Sequence, residues 1–205
     1  MLQRKTVAAA TLELLKEISA IPELADLHLA GGTSLSLQIG HRISVDLDFF
    51  GSHEFSSNDI VEILHHIKPL TIISQNKNIL ILNIRGIKVD FVNYRYPLIS
   101  TPLLEDNIRL LALPDIGAMK LAAVAGRGRK RDFYDLYFLL KQFSLRQILD
   151  FYNRKYEDGS EIMVVRSLTF FDDANEDEEP VILDKTVNWD TVKEFILNAV
   201  RKDYK

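Results

Sequence analysis

The chain has 205 residues, 47% of them hydrophobic, no cysteine, and a formal net charge of −4. That length and apolar content support a real core, and the missing cysteine excludes disulfides and thiolate metal sites and fits a cytoplasmic home. The negative balance argues against a general nucleic-acid coat, no apolar run approaches the ~20 residues of a membrane helix, and Met1–Lys5 leads into no signal-peptide core.

Val7, Leu12, Leu14, Leu15 and Ile18 predict a helix over 6–19, with Pro22 marking the turn beyond it. Leu27-His28-Leu29-Ala30 reads as a short strand running into Gly31-Gly32. Thr33 to Ile39 reads as a two-turn helix ended by Gly40. In Val45-Asp46-Leu47-Asp48-Phe49, strand alternation places Val45, Leu47 and Phe49 on one face and both aspartates on the other. Asn58 is placed to cap a helix over 59–67 that Pro69 stops. The apolar runs 79–84 and 87–92, split by Arg85-Gly86, predict a hairpin. Ile87, Val89 and Phe91 take one face of its second strand, and Lys88, Asp90 and Val92 the other.

Pro114-Asp115 opens a small-residue helix through Ala125 in which Lys120 is the one later charge. Gly126 to Gly128 break it, and Arg127, Arg129, Lys130 and Arg131 form a dense basic turn. The next helix, 131–140, buries Phe133, Leu136, Tyr137 and Leu140, while Arg131 and Asp135 have the spacing of an ion pair. Helices over 145–155 and 160–170 follow, then six acids within Asp172–Pro180 that read as a solvated loop or a partner contact. A last helix starts at Asn188 or Asp190 and runs to about Arg201. The five histidines, His28, His41, His53, His65 and His66, show no metal-ligand spacing and are given no role.

Two carboxylates side by side need a proton or a cation between them, and a hard divalent ion such as magnesium suits them. The preceding glycines let backbone N–H groups approach a phosphate at a helix start. A phosphate cradle followed by paired carboxylates describes a nucleotide site. Asp90, mid-strand on the polar face, is costly unless partnered. It resolves either as a third carboxylate beside Asp46 and Asp48 or as a structural partner of Lys88 or Arg85. Lys120 likewise either snorkels to an edge or meets an anion.

Together these residues resemble a known family. Gly31-Gly32-Thr33-Ser34-Leu35, Arg42-x-Ser44-x-Asp46-Leu47-Asp48-Phe49, Lys120 and Arg131-Asp132-Phe133-Tyr134-Asp135-Leu136 are similar to the AbiEii/AbiGii toxin nucleotidyltransferases. Those belong to the DNA polymerase β-like superfamily. The resemblance covers residues 20–140 well and the C-terminal third loosely. It implies an α+β fold with a small mixed sheet flanked by helices in a 1–110 nucleotidyltransferase core. A mainly helical region, 111–205, would complete the active site. The implied activity is magnesium-dependent transfer of a nucleoside monophosphate from a nucleoside triphosphate to an acceptor, RNA such as a tRNA end, by the toxin of an abortive-infection pair with a cognate antitoxin. The alternatives are a protein or small-molecule acceptor, or a non-catalytic nucleotide-binding regulator.

Carried over by residue, Asp46, Asp48 and Asp90 hold the metal and serve catalysis with Lys120 and Asp132. Gly31, Gly32, Thr33, Ser34, Arg42, Ser44 and Asp135 form the nucleotide-binding set. The turn Arg127, Arg129, Lys130 and Arg131 is the candidate contact for the acceptor's phosphates.

Overall fold

The computed structural model describes residues 1–51 and 55–203, so His53 lies outside the described residues. The chain divides into two compact units. The first comprises Met1–Gly40, Ser44–Pro97 and Thr101–Leu111; the second comprises His41–Ile43, Leu98–Ser100 and Ala112–Lys205.

The first unit runs α1 (Ala9–Ser19), β1 (His28–Leu29), α2 (Gly31–Ile39), β2 (Leu47–Gly51), α3 (Ser57–Ile63), β3 (Leu70–Gln75), β4 (Ile79–Ile84), β5 (Ile87–Asn93), β6 (Leu103–Glu105) and β7 (Ile108–Leu110). The strands form one mixed sheet in the order β3-β4-β5-β2-β1-β7-β6. The pairs β2–β5 and β1–β7 are parallel and the others antiparallel. Alternation sorts the sheet's two faces. Leu47, Phe49, Leu80, Leu82, Ile84, Val89 and Phe91 are all buried, and pack with Leu14, Leu15 and Ile18 of α1 and Ile60 of α3. Burial of apolar surface on this face, at ~25 cal/mol per Å², is the main drive for the unit. The intervening residues of β2, β4 and β5, including Asp48, Phe50, Ile81 and Asp90, are only half-buried. The polar side chains therefore gather on the open face.

Several boundaries differ from expectation for local reasons. The first helix starts at Ala9, because residues 4–6 form a 3-10 turn and Val7 is extended. Asp46 precedes β2 rather than lying in it, so it is not a strand-mate of Asp48. Its carbonyl accepts a bond from the Thr33 hydroxyl, and Ser44 N–H donates to Thr6 O at 2.9 Å, so this stretch is tied to its neighbours by single bonds. Val45, expected to share a strand face with Leu47 and Phe49, lies before the strand and is exposed. α3 ends at Ile63 because the backbone tightens into i−3 bonds, His65 to Glu62 and Ile67 to Leu64.

The second unit runs α4 (Leu113–Arg127), α5 (Lys130–Leu140), α6 (Leu145–Lys155), α7 (Glu161–Ser167), α8 (Asp172–Asn175) and α9 (Trp189–Asp203). α4 passes through Gly126 and stops at Gly128, whose φ of 55° gives the left-handed cap. Gly117 brings α4 close to α6: a Cβ there would stand 3.3 Å from Ile148 Cγ2. α6 opens with a capping box in which Ser144 and Gln147 satisfy each other's backbone donors. The Asp115 carboxylate is fully buried, accepts Ile99 N–H and Ser100 N–H, and pairs with buried Lys155 at 2.7 Å.

The acidic stretch 172–180 is not a plain solvated loop. It contains the helical turn α8, and two of its acids turn inward. Asp177 binds Arg129 at 2.6 Å and the Lys130 N–H at 2.9 Å, and Glu179 binds the Lys130 ammonium at 3.2 Å and the Tyr134 hydroxyl at 2.9 Å.

Candidate functional site

In the first unit the site is built around Asp48 and Asp90. Parallel pairing of β2 and β5 puts these two residues in register, so both carboxylates leave the open face from adjacent strands. Asp90 Oδ2 accepts a bond from Lys88 Nζ at 2.5 Å, and Asp90 Oδ1 is buried with no hydrogen-bond partner among the described residues. Both sequence readings of Asp90 therefore hold in part: it pairs with Lys88, and it stands beside another strand aspartate.

Gly31 opens α2 with φ 64°, a conformation that strains any residue with a side chain. A Cβ there would lie 2.2 Å from Asp48 Oδ2. The backbone at the start of α2 thus comes directly against the carboxylate. Ala30 supplies no side-chain cap of its own to the helix. The helix takes in both glycines, two residues earlier than the start at Thr33 that the sequence predicts. The hydroxyls of Thr33, Ser34 and Ser44 are engaged internally. The Thr33 hydroxyl donates to the Asp46 carbonyl and accepts from the Ser44 hydroxyl at 2.8 Å, and Ser34 Oγ accepts from Gln38 at 3.1 Å. All three side chains are buried, so they shape the Asp46 approach rather than face a ligand.

Among the described residues no three His, Cys, Asp or Glu side chains are grouped to hold a metal. Two carboxylates fit magnesium nonetheless, because that ion binds through one or two carboxylates plus substrate phosphates and water. The buried, unbonded Oδ1 of Asp90 agrees with such a group.

The second unit gathers the other expected residues. Asp132 and Asp135, one turn apart on α5, point inward and are fully buried. Arg42 grips Asp135 through Nε at 2.6 Å and Nη2 at 3.0 Å, and His41 Nε2 lies 2.6 Å from the same carboxylate. Arg127 grips Asp132 through Nε at 2.8 Å and Nη2 at 3.0 Å. Lys120 lies between the acids, 3.0 Å from Asp132 and 2.5 Å from Asp135. The side chain expected to steady a triphosphate is thus enclosed by two carboxylates of its own unit. Asp135 faces these groups rather than Arg131, which is exposed.

Burial pushes the Asp135 carboxyl up, but Arg42 and Lys120 outweigh it and hold the group well below the usual carboxylate range. Burial likewise raises Asp132, and Lys120 and Arg127 bring it below its ordinary value. Burial dominates at His41 and lowers its pKa against the pull of Asp135, so the ring is neutral and donates Nε2–H. Its Nδ1 is buried without a partner among the described residues. Sequence reasoning missed His41. Its partner is 94 positions away, and no spacing rule links them.

The basic turn is less open than expected. Arg127 is bound to Asp132, Arg129 to Asp177, and Lys130 is buried against Asp177 and Glu179.

Comparison with known proteins agrees with this architecture. The chain is 35% identical over 196 residues to an uncharacterised protein, aq_aa25, of Aquifex aeolicus (strain VF5), covering 93% of this chain and 94% of that one. JHP933 from Helicobacter pylori is similar in structure, with a TM-score of 0.56, 18% identity, and 96% and 94% of the two chains covered. A candidate nucleotidyltransferase from H. pylori gives the same TM-score at 17% identity, covering 95% and 96%. At such identities the likeness establishes the fold, the polymerase β-like α+β architecture expected from the sequence. The profile described as nucleotidyl transferase AbiEii toxin, type IV toxin–antitoxin system, matches residues 13–204. The two in-register aspartates beside a glycine-opened helix, on a fold shared with that group, therefore come with a match along nearly the whole chain, and the protein belongs to the AbiEii nucleotidyltransferase toxin family.

Proposed function

We propose that the open face of the first unit binds a nucleoside triphosphate with magnesium and transfers its nucleoside monophosphate to an RNA end, releasing pyrophosphate. The observation that carries this reading is the Asp48–Asp90 register pair, with its buried unbonded oxygen, set against the bare backbone of Gly31. The N-terminus of α2 favours the anionic phosphates through backbone N–H groups and the helix dipole. Asp48 and Asp90 would hold magnesium, with Asp46 nearby in sequence, and the ion would offset the charge of the triphosphate and leaving group. In the step itself an acceptor hydroxyl oxygen bonds to the α-phosphorus as the bond to pyrophosphate breaks, and the hydroxyl proton passes to water. The family's type IV description supports a toxin restrained by an antitoxin, acting in the bacterial cytoplasm. Among the described residues no helix is long and apolar enough to cross a membrane.

The test incubates purified protein with magnesium, each labelled triphosphate in turn, and total bacterial RNA. Label is expected in RNA, and Asp48→Asn or Asp90→Asn should reduce it at least ~100-fold, as for loss of a charge-stabilising group, while melting like the parent. Undiminished labelling in the Asp48→Asn/Asp90→Asn double variant rejects the site. Label in protein or small molecules instead rejects RNA as the acceptor.

A further inference from the structure

The open face carries a second feature beyond the acids. Phe50 lies two residues after Asp48 on β2, and Val92 is its register partner on β5. Two residues are one side-chain repeat, ~6.8 Å along a strand. At that step the face turns aromatic. The pairing continues past β5, because Tyr94 N–H donates to Gly51 O at 2.7 Å. The Tyr94 ring meets Phe50 with centroids 4.9 Å apart and a 51° tilt, and Tyr96 meets Tyr94 at 5.0 Å and 59°. The three rings make a braced wall, half-buried at Phe50 and Tyr94 and 47% exposed at Tyr96.

This wall is not core. The core's own aromatic pair, Phe49 and Phe91, stacks on the opposite face at 5.4 Å. Chain alternation thus sends one pair of rings inward and a separate set outward beside the acids. An exposed tyrosine braced by a neighbouring ring loses little conformational freedom when a flat ligand settles on it. An exposed π-surface beside the acids is the chemistry that receives unpaired nucleobases.

We propose that Phe50, Tyr94 and Tyr96 form a stacking platform for the terminal bases of a single-stranded RNA acceptor, beginning at Phe50 one strand step from Asp48 and running away from the acids. The assignment names the acceptor class for the reading given under Proposed function and rests on it. The platform lies at the C-terminal ends of β2 and β5. The phosphate seat at α2 is a separate element, reached through Asp48. The site thereby has one place for the triphosphate's phosphates and another for the strand that is extended. Tolerance of sequence at the acceptor's end follows, since every base presents a π-face.

The experiment uses the intact protein and a short single-stranded RNA carrying 2-aminopurine as its 3′-terminal base, without magnesium or triphosphate. Stacking on the wall quenches the fluorophore. Tyr96→Ala is expected to weaken binding about tenfold and remove the quench, and Tyr96→Trp to restore both. Equal affinity and quench in wild type and Tyr96→Ala, or no quench in wild type, overturns the platform. A Tyr96-dependent quench of 2-aminopurine riboside triphosphate but not of the oligomer assigns the wall to the incoming nucleotide and overturns the acceptor assignment. The readout needs no turnover. RNA labelling measured on the same preparations therefore reports on the transferase reading separately.

Discussion

Gly31→Ala tests whether the backbone approach to Asp48 is what the start of α2 is built for. The added methyl has two separable costs. An L-residue at φ 64° is strained by ~1–2 kcal/mol wherever it stands. The methyl would also lie 2.2 Å from Asp48 Oδ2 and 3.1 Å from its Cγ, so the carboxylate or the strand must shift, an overpacking cost of ~1–3 kcal/mol. In an Asp48→Ala background both of those atoms are gone, and the nearest remaining one, Cβ, is at an ordinary 3.4 Å. The expected loss on Gly31→Ala is therefore ~2–5 kcal/mol with Asp48 present and ~1–2 kcal/mol without it, a coupling of ~1–3 kcal/mol. Urea unfolding of the four proteins of this cycle measures it, provided the slopes agree. Thermal stabilisation by magnesium and triphosphate should be lost in Gly31→Ala, because the methyl fills the space before the carboxylate. Equal costs in the two backgrounds, within ~0.5 kcal/mol, would refute the close approach.

Lys120→Met leaves two buried carboxylates without their shared cation and should cost ~3–5 kcal/mol by denaturant midpoint. A loss below ~1 kcal/mol would show that the lysine is not part of the internal balance. Acid sensitivity should follow from His41 and Asp135, whose folded pKa values both lie below their unfolded ones. Each binds fewer protons folded than unfolded, so stability is full above the unfolded pKa and falls on acidification. The loss begins below about pH 6.5 for His41 and continues below about pH 4 for Asp135. His41→Gln, which retains a donor toward Asp135, should flatten the melting-temperature profile between about pH 6.5 and 5. An unchanged slope there would remove His41 from the account.

The sequence made the sheet legible where alternation is strict. Leu80, Leu82, Ile84, Val89 and Phe91 are buried as the period-two pattern requires, and Arg85-Gly86 makes the turn between their strands. Gly31 and Gly40 were legible because a positive φ selects glycine. Asp46 was misplaced because alternation assumes that pairing continues, whereas a side-chain bond from Thr33 takes its carbonyl. Asp48 and Asp90 were each identifiable, but their shared row depends on parallel pairing between strands separated by α3 and the β3–β4 hairpin, which no local pattern encodes. The burial of Lys120, Lys130 and Lys155 was illegible for a related reason. Each is buried because an acid from another segment neutralises it, and composition cannot name that acid.

One further consequence lies in how the second unit is assembled. Leu183 N–H donates to His41 O, Ile43 N–H donates to Val181 O, and Arg42 bridges Ile182. A tripeptide from far upstream is thus knitted into the helical half, and it brings Arg42 and His41 to Asp135. A fragment begun at Ala112 would keep every helix of that half yet strand its most acidic buried group with Lys120 alone. No single cut frees this unit, because its wiring passes through the first; dissection would need the 41–43 segment re-supplied, by a circularly permuted chain or an added peptide.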